Sequence, residues 1–165
     1  MPTIAQAQSP VEIDAVRELI REYTDWAFTL AEGSRKAPTF ERLEEELAGL
    51  PGKYAPPGGA LLLAMHDGTS AGCVGLRRFD AGTGELKRLY VRPAARGLNL
   101  GQRLVDAVLA EARRLGYRRI ILDSHISMTK AHAIYEASGF RRGAVPDTFP
   151  EEMKPFVVFM EMALE

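Results

Sequence analysis

Apolar and polar residues alternate in "TIAQAQ" (3–8), the period of a short strand. From Ser9 the spacing lengthens, and Val16, Leu19, Ile20, Tyr23 and Ala27 recur at helical intervals on one face. Ser9 reads as the N-cap, Pro10 as the first helical residue and Glu12 as the partner in a capping box. "EGSRKAP" breaks the pattern. Thr39 then caps a second helix with Phe40, Leu43, Leu47 and Leu50 on one side, ended by Pro51-Gly52. "YAPPGG" reads as a loop, and "ALLLAMH", "GCVGLRRF" and "GELKRLYV" as three strands joined by "DGTS" and "DAGTG". Gly-bearing connections that short favour an antiparallel meander.

After Val91 the pattern changes. "LNLGQRLVDAVLAEARRLG" is a helix with Leu104, Val108, Ala112 and Leu115 inward and Gly116 as terminator. "RRIILD" is a short strand, and "SMTKAHAIYEASG" a helix capped by Ser127 and stopped by Gly139. "FRRGAV" and "PFVVFMEMAL" complete a sheet. The order is β-α-α-β-β-β-α-β-α-β-β. Strand 84–91, its helix and strand 118–123 form one βαβ unit, so one parallel pair sits in a largely antiparallel sheet. The expected class is mixed α/β (α+β), one domain over residues 1–165.

Composition narrows the partners. The chain is 46% apolar and 26% charged with net charge −1, ordinary for a soluble globular protein. Neither nucleic acid nor an anionic membrane is called for by that balance. Arg88, Arg92, Arg96 and Arg103 cluster, as do Arg113, Arg114, Arg118 and Arg119, which suits a small anionic ligand better than a polyanion. The single cysteine, Cys73, excludes an internal disulfide and a cysteine-built metal site, and in "GCVGL" it reads as a buried, inert thiol. "MPTIAQAQSPVEID" has no secretory pattern and "ALLLAM" is too short to span a bilayer, so a cytoplasmic location is expected.

The candidate chemistry lies in "RPAARGLNLGQRL" (93–105), between a strand and a helix. A helix N-terminus carries unpaired N–H groups and partial positive charge, a ready site for phosphate. Gly97 and Gly101 allow close backbone approach, and Arg96 adds a charge-assisted donor. A Walker-type Gly-Lys-Ser/Thr end is absent, and the turn sits mid-chain rather than in a first βα unit, so neither common nucleotide loop fits.

"ELKRLYVRPAARGLNLGQRL", then "GYRRIILD" and "AHAIYEASGF", resembles the GNAT superfamily of acetyl-CoA-dependent N-acetyltransferases across nearly the whole chain. That resemblance implies that Arg96, Gly97, Leu98, Asn99, Leu100, Gly101 and Gln102 hold the pyrophosphate of coenzyme A. It also implies that the strand of Leu89, Tyr90 and Val91 pairs with the pantetheine arm and that one of its amides meets the oxyanion. Two residues depart from the family pattern. Asn99 stands where the first glycine is usual, though Asn tolerates positive φ best among non-glycine residues. Met128 stands where many members carry a cofactor-contacting Asn.

The resemblance further implies an acid and a base. Freeing a lysine-like amine of pKa about 10.4 at pH 7 costs roughly 4–5 kcal/mol, while a thiol near pKa ~8.5 leaves easily, so the base matters more. Tyr135 matches the family's tyrosine near the coenzyme A sulfur, a candidate general acid, against plain packing on its helix. Glu85 matches a glutamate used as base by some members, against a strand-end pair with Arg88 or Lys87. His125 is the second candidate base, and His132 reads as structural. For the acceptor the segments offer Trp26, Phe28 and Tyr54, then Phe149, Glu151 and Glu152, as a receptor for a cationic amine or as solvated loop. The expected activity is acetyl transfer from acetyl-CoA, without metal, to a primary amine of a small molecule or peptide, with a homodimer open. The alternatives are a non-catalytic acyl-CoA-binding or regulatory domain and a nucleotide-phosphate binder.

Overall fold

The computed structural model describes residues 1–29 and 40–165. The chain runs β1 (Thr3–Gln6), α1 (Pro10–Phe28), α2 (Leu43–Ala48), β2 (Ala60–His66), β3 (Thr69–Asp80), β4 (Thr83–Val91), α3 (Leu100–Arg114), β5 (Arg119–His125), α4 (Thr129–Ser138), β6 (Arg141–Gly143) and β7 (Val157–Ala163). This is the order expected from periodicity. The break at 32–38 and the Thr39 cap lie outside the described residues.

One seven-stranded sheet in the order β1-β2-β3-β4-β5-β7-β6 forms the frame. Neighbours are antiparallel except β4 and β5, which run parallel as the βαβ unit requires. One face carries Leu62, Val74, Leu76, Leu86, Ile120 and Leu122 against Leu104, Val105, Val108 and Ala112 of α3. The other carries Leu61, Leu63, Cys73 and Tyr90 against Val16, Leu19 and Ile20 of α1. Alternate residues of each strand thus feed opposite cores, as the pleat dictates. Burying each such aliphatic side chain contributes about 1.5–3 kcal/mol.

The capping box of α1 forms: Glu12 N donates to Ser9 Oγ at 3.1 Å, and Ser9 N donates to Glu12 Oε1 at 2.9 Å. Three local expectations are corrected. The second helix is only Leu43–Ala48, because Arg42 adopts φ 58° and stops the helical spiral from extending back to Phe40. α4 begins after Met128 with no side-chain cap, since the Ser127 hydroxyl is engaged by His125 Nδ1 at 2.7 Å. Tyr54, in the expected loop, is fully buried and donates from its hydroxyl to Glu46 Oε2 at 2.9 Å.

Candidate active site

β4 and β5 pair only from Thr83–Glu85 against Arg119–Ile121, and then diverge. Two causes act together. β5 keeps its other edge on β7 through His125. β4 meanwhile bulges: Gly75 opposes Lys87 and Cys73 opposes Tyr90, so Arg88 and Leu89 share one place opposite Val74. Arg88 takes φ 62° there, an uncommon backbone for a non-glycine residue. Its side chain is held by a bidentate pair with Glu46, Nε to Oε2 at 2.8 Å and Nη2 to Oε1 at 2.9 Å, with the Phe40 ring 5.3 Å from the guanidinium carbon. Burial opposes ionisation of Glu46, but Arg88 and then Lys53 hold its carboxyl down at about 2.

The gap opens into a cavity of about 490 Å³ reaching from the turn before α3, along β4, to α1, β5 and α4. At one end the backbone N–H groups of residues 97–102 donate to no acceptor among the described residues. Gly97 has φ +91° and Asn99 φ 60°, so the chain curls and presents these amides ahead of the positive end of α3. Gly101 serves another purpose as well, since a Cβ there would stand 2.8 Å from Ile134 Cδ1; its absence lets α3 approach α4.

Leu89, Tyr90, Val91, Arg96, Gly97, Asn99, Leu100, Gly101 and Gln102 all line the cavity, as does Tyr135. Leu98 does not, and its side chain is exposed. The arginine cluster divides. Arg88 is bound by Glu46, Arg92 by Glu22 at 2.6 Å, and Arg103 donates to the Pro2 carbonyl, leaving Arg96 on the cavity.

The sequence profile of the Acetyltransferase (GNAT) family matches residues 14–140. The chain belongs to that family. An uncharacterised N-acetyltransferase of Schizosaccharomyces pombe is 33% identical over 98% of this chain and 94% of its own length. Among solved structures, a protein assigned as an acyl-CoA N-acyltransferase from Klebsiella pneumoniae is 28% identical and superposes with a TM-score of 0.76, covering 100% of this chain and 99% of its own. The PaiA N-acetyltransferase of Thermoplasma acidophilum, solved in complex with coenzyme A, is 20% identical and shares the fold, with a TM-score of 0.71 over 99% of each chain.

Within this GNAT fold the Tyr135 ring packs edge-on against Phe140 at 5.6 Å, and burial pushes its phenol well up. Glu85 lies apart from the cavity lining, and its carboxylate accepts from Arg77 Nε at 2.6 Å rather than from Arg88 or Lys87. His125 lines a small adjoining hollow of about 30 Å³, stacked on Phe156 at 6.3 Å and 7°, and burial lowers its pKa. His132 is buried and bonded to Ser124 Oγ at 3.0 Å, a structural placement. The Cys73 thiol is buried, pushed up to about 12, and faces the Arg88 carbonyl. Met128 lines the cavity, and its Sδ receives the Ser124 hydroxyl at 3.7 Å and the Tyr23 hydroxyl at 3.9 Å.

Of the residues expected on the acceptor side, Trp26 reaches the cavity. Tyr54 is core, Phe28 packs on Phe40 at 5.2 Å, and Glu151 is paired with Lys154 at 2.7 Å. Neither Phe149 nor Glu152 lines the cavity or the hollow. Tyr23, Lys87 and Asp123 line it instead, although no motif marks them. The available signal is strand parity. Glu85 opposes Ile121 in the parallel register, so Lys87 and Asp123, each two residues on, share one face of the opening gap. Among the described residues no group of three or more His, Cys, Asp or Glu side chains is arranged to hold a metal ion, and no helix is long and apolar enough to cross a membrane.

Proposed function

We propose that the chain is an acetyl-CoA-dependent N-acetyltransferase acting on a primary amine of a small molecule or peptide. The observation that carries this reading is the run of unengaged amides at 97–102, at one end of a cavity whose wall includes Tyr135. Bound there, acetyl-CoA supplies the acetyl thioester. The amides of 97–102 and Arg96 would hold its pyrophosphate, since the helix end and the guanidinium both favour anions. The splayed edge of β4 at Leu89, Tyr90 and Val91 has main chain no longer paired to β5, and would hydrogen-bond the pantetheine arm.

Tyr135 would then act as the acid. Its raised pKa keeps the phenol protonated at physiological pH, so it holds a proton for a departing thiolate. Its hydroxyl makes no hydrogen bond within the described residues, which leaves it free for that contact.

Free-thiol release from acetyl-CoA, followed across a panel of primary amines, tests the reading. Thiol appearing in step with an acetylated amine supports it. Tight coenzyme A binding with no turnover of any amine would favour a non-catalytic acyl-CoA-binding domain.

A further inference from the structure

Most charged groups around the splay are already paired. Arg88 is bound to Glu46, Arg92 to Glu22, and Glu85 to Arg77. Lys87 and Asp123 are exceptions, for neither makes an ion pair or hydrogen bond within the described residues; Lys130, in the first turn of α4, also lines the cavity without one. Lys87 and Asp123 are both partly buried.

Their placement follows from the strands. Gly75 opposes Lys87 across β3 and β4, and the Tyr54 ring lies 2.8 Å from where a Gly75 Cβ would sit, so Lys87 projects on the α1 side of the sheet. Asp123 shares that side, because Ile120 and Leu122 point into the α3 core. Had the parallel pairing continued from Glu85 and Ile121, Lys87 would oppose Asp123 directly; the splay holds them apart. Two opposite charges therefore face one cavity without meeting. Burial pulls the Lys87 amine down to about 8 against the attraction of Glu85 and Asp123, and it pushes the Asp123 carboxyl up against Lys87. Both ions are thus poorly solvated and under-compensated, a state a complementary ligand relieves.

The pair also sits at the end away from the phosphate turn. Val91 and Lys87 oppose Gly72 and Gly75 on either side of the bulge, a span of about 10 Å along the sheet. Asp123, Ser124, Tyr23 and Met128 are common to the large cavity and the small hollow, whose other walls are Ala27, Phe40, Met153, Phe156 and Val157. His125, the remaining titratable group of that hollow, has a lowered pKa and is neutral at pH 7, so it does not compete for an anion.

We propose that Lys87 and Asp123 form a two-pole acceptor subsite, which takes an amine that also carries a carboxylate, an acceptor of the amino-acid type. Asp123 receives the amino group and Lys87 the carboxylate, and the apolar hollow beside Asp123 receives part of the side chain. This assignment rests on the acetyltransferase reading above and adds the acceptor's chemical class. A plain amine would leave Lys87 uncompensated and is the poorer ligand.

The test begins with calorimetric binding of coenzyme A to the full chain, which checks the underlying reading by itself. Acetylation of common L-amino acids is then compared with that of their carboxamides and their decarboxylated amines. The parent protein is expected to favour at least one amino acid over its two carboxylate-free analogues by ten-fold or more in kcat/KM. Lys87→Met should abolish that preference through KM while keeping turnover of the decarboxylated amine, and Lys87→Arg should retain part of it. If coenzyme A binds but the carboxylate-free analogues serve equally well, no amino acid is acetylated, or Lys87→Met lowers all three classes alike, the subsite is wrong and the fold's cofactor assignment stands. If coenzyme A does not bind, both readings fall.

Discussion

Arg77 Nε stands 2.6 Å from Glu85 Oε1, across the antiparallel pair of β3 and β4, where the two residues are direct register partners. Glu85 is the acid that motif position singles out as a base, and a charge-assisted bond to a neighbouring strand is a different occupation. Glu85→Gln is therefore expected to lower stability by about 1–3 kcal/mol, as loss of a charged hydrogen-bond partner does. The shape of the pH profile of kcat/KM should not change. Denaturant unfolding and a pH–rate series check both, and a loss of rate confined to neutral pH would return the base to Glu85.

Glu46 links α2 to the bulge through Arg88, and its depressed pKa has a consequence for acid stability. Its folded value of about 2 lies below the ordinary 4.5, so its contribution is present above pH 4.5 and is lost as pH falls from there through about 2. Glu46→Ala removes the bidentate carboxylate from an almost fully buried guanidinium, at a cost of about 3–5 kcal/mol. Melting temperatures between pH 7 and pH 2 should show the parent losing its advantage over this variant as acid is added. A constant gap between the two across that range would contradict the assignment.

Tyr135→Phe removes a hydroxyl on the cavity and keeps the ring on Phe140. Turnover is expected to fall by about 10²-fold, the low end for a positioned general acid. Coenzyme A affinity should stay within about two-fold, the pattern of a group that acts on the leaving thiolate only. Steady-state kinetics alongside calorimetry make the comparison, and an unchanged kcat would leave Tyr135 with packing alone.

Local chemistry is what the sequence shows best. The Ser9–Glu12 capping box, the α3 face of Leu104, Val108 and Ala112, and the left-handed stop at Gly139 all involve partners within one or two helical turns, and all are present. The turn with unengaged amides at 97–102 is legible for the same reason, since those amides are consecutive. Failures come from side chains whose partner the periodicity does not name. Ser127 looks like a cap until its near neighbour His125 takes its hydroxyl, and "YAPPGG" looks like loop until Tyr54 reaches Glu46 and packs over the distant Gly75. The cavity wall opposite that turn is hidden most deeply: Lys87 and Asp123 come to line one cavity only through a parallel pairing that then ends. Tyr23, at an apolar position of α1, fits the helical face equally well whether or not a cavity lies beneath it; burial raises its phenol to about 12.

If residues 97–102 hold the pyrophosphate of coenzyme A, Asn99 is the residue on which that contact turns. At φ 60° and ψ 25° Asn99 occupies the left-handed region, which glycine reaches without strain and a β-branched residue resists. Calorimetric titration of coenzyme A into the parent, Asn99→Gly and Asn99→Val decides the matter, with circular dichroism confirming that each is folded. Asn99→Gly should bind within about two-fold of the parent, and Asn99→Val should bind ten-fold or more weakly, about 1.4 kcal/mol. Equal affinity in all three would place the phosphates elsewhere.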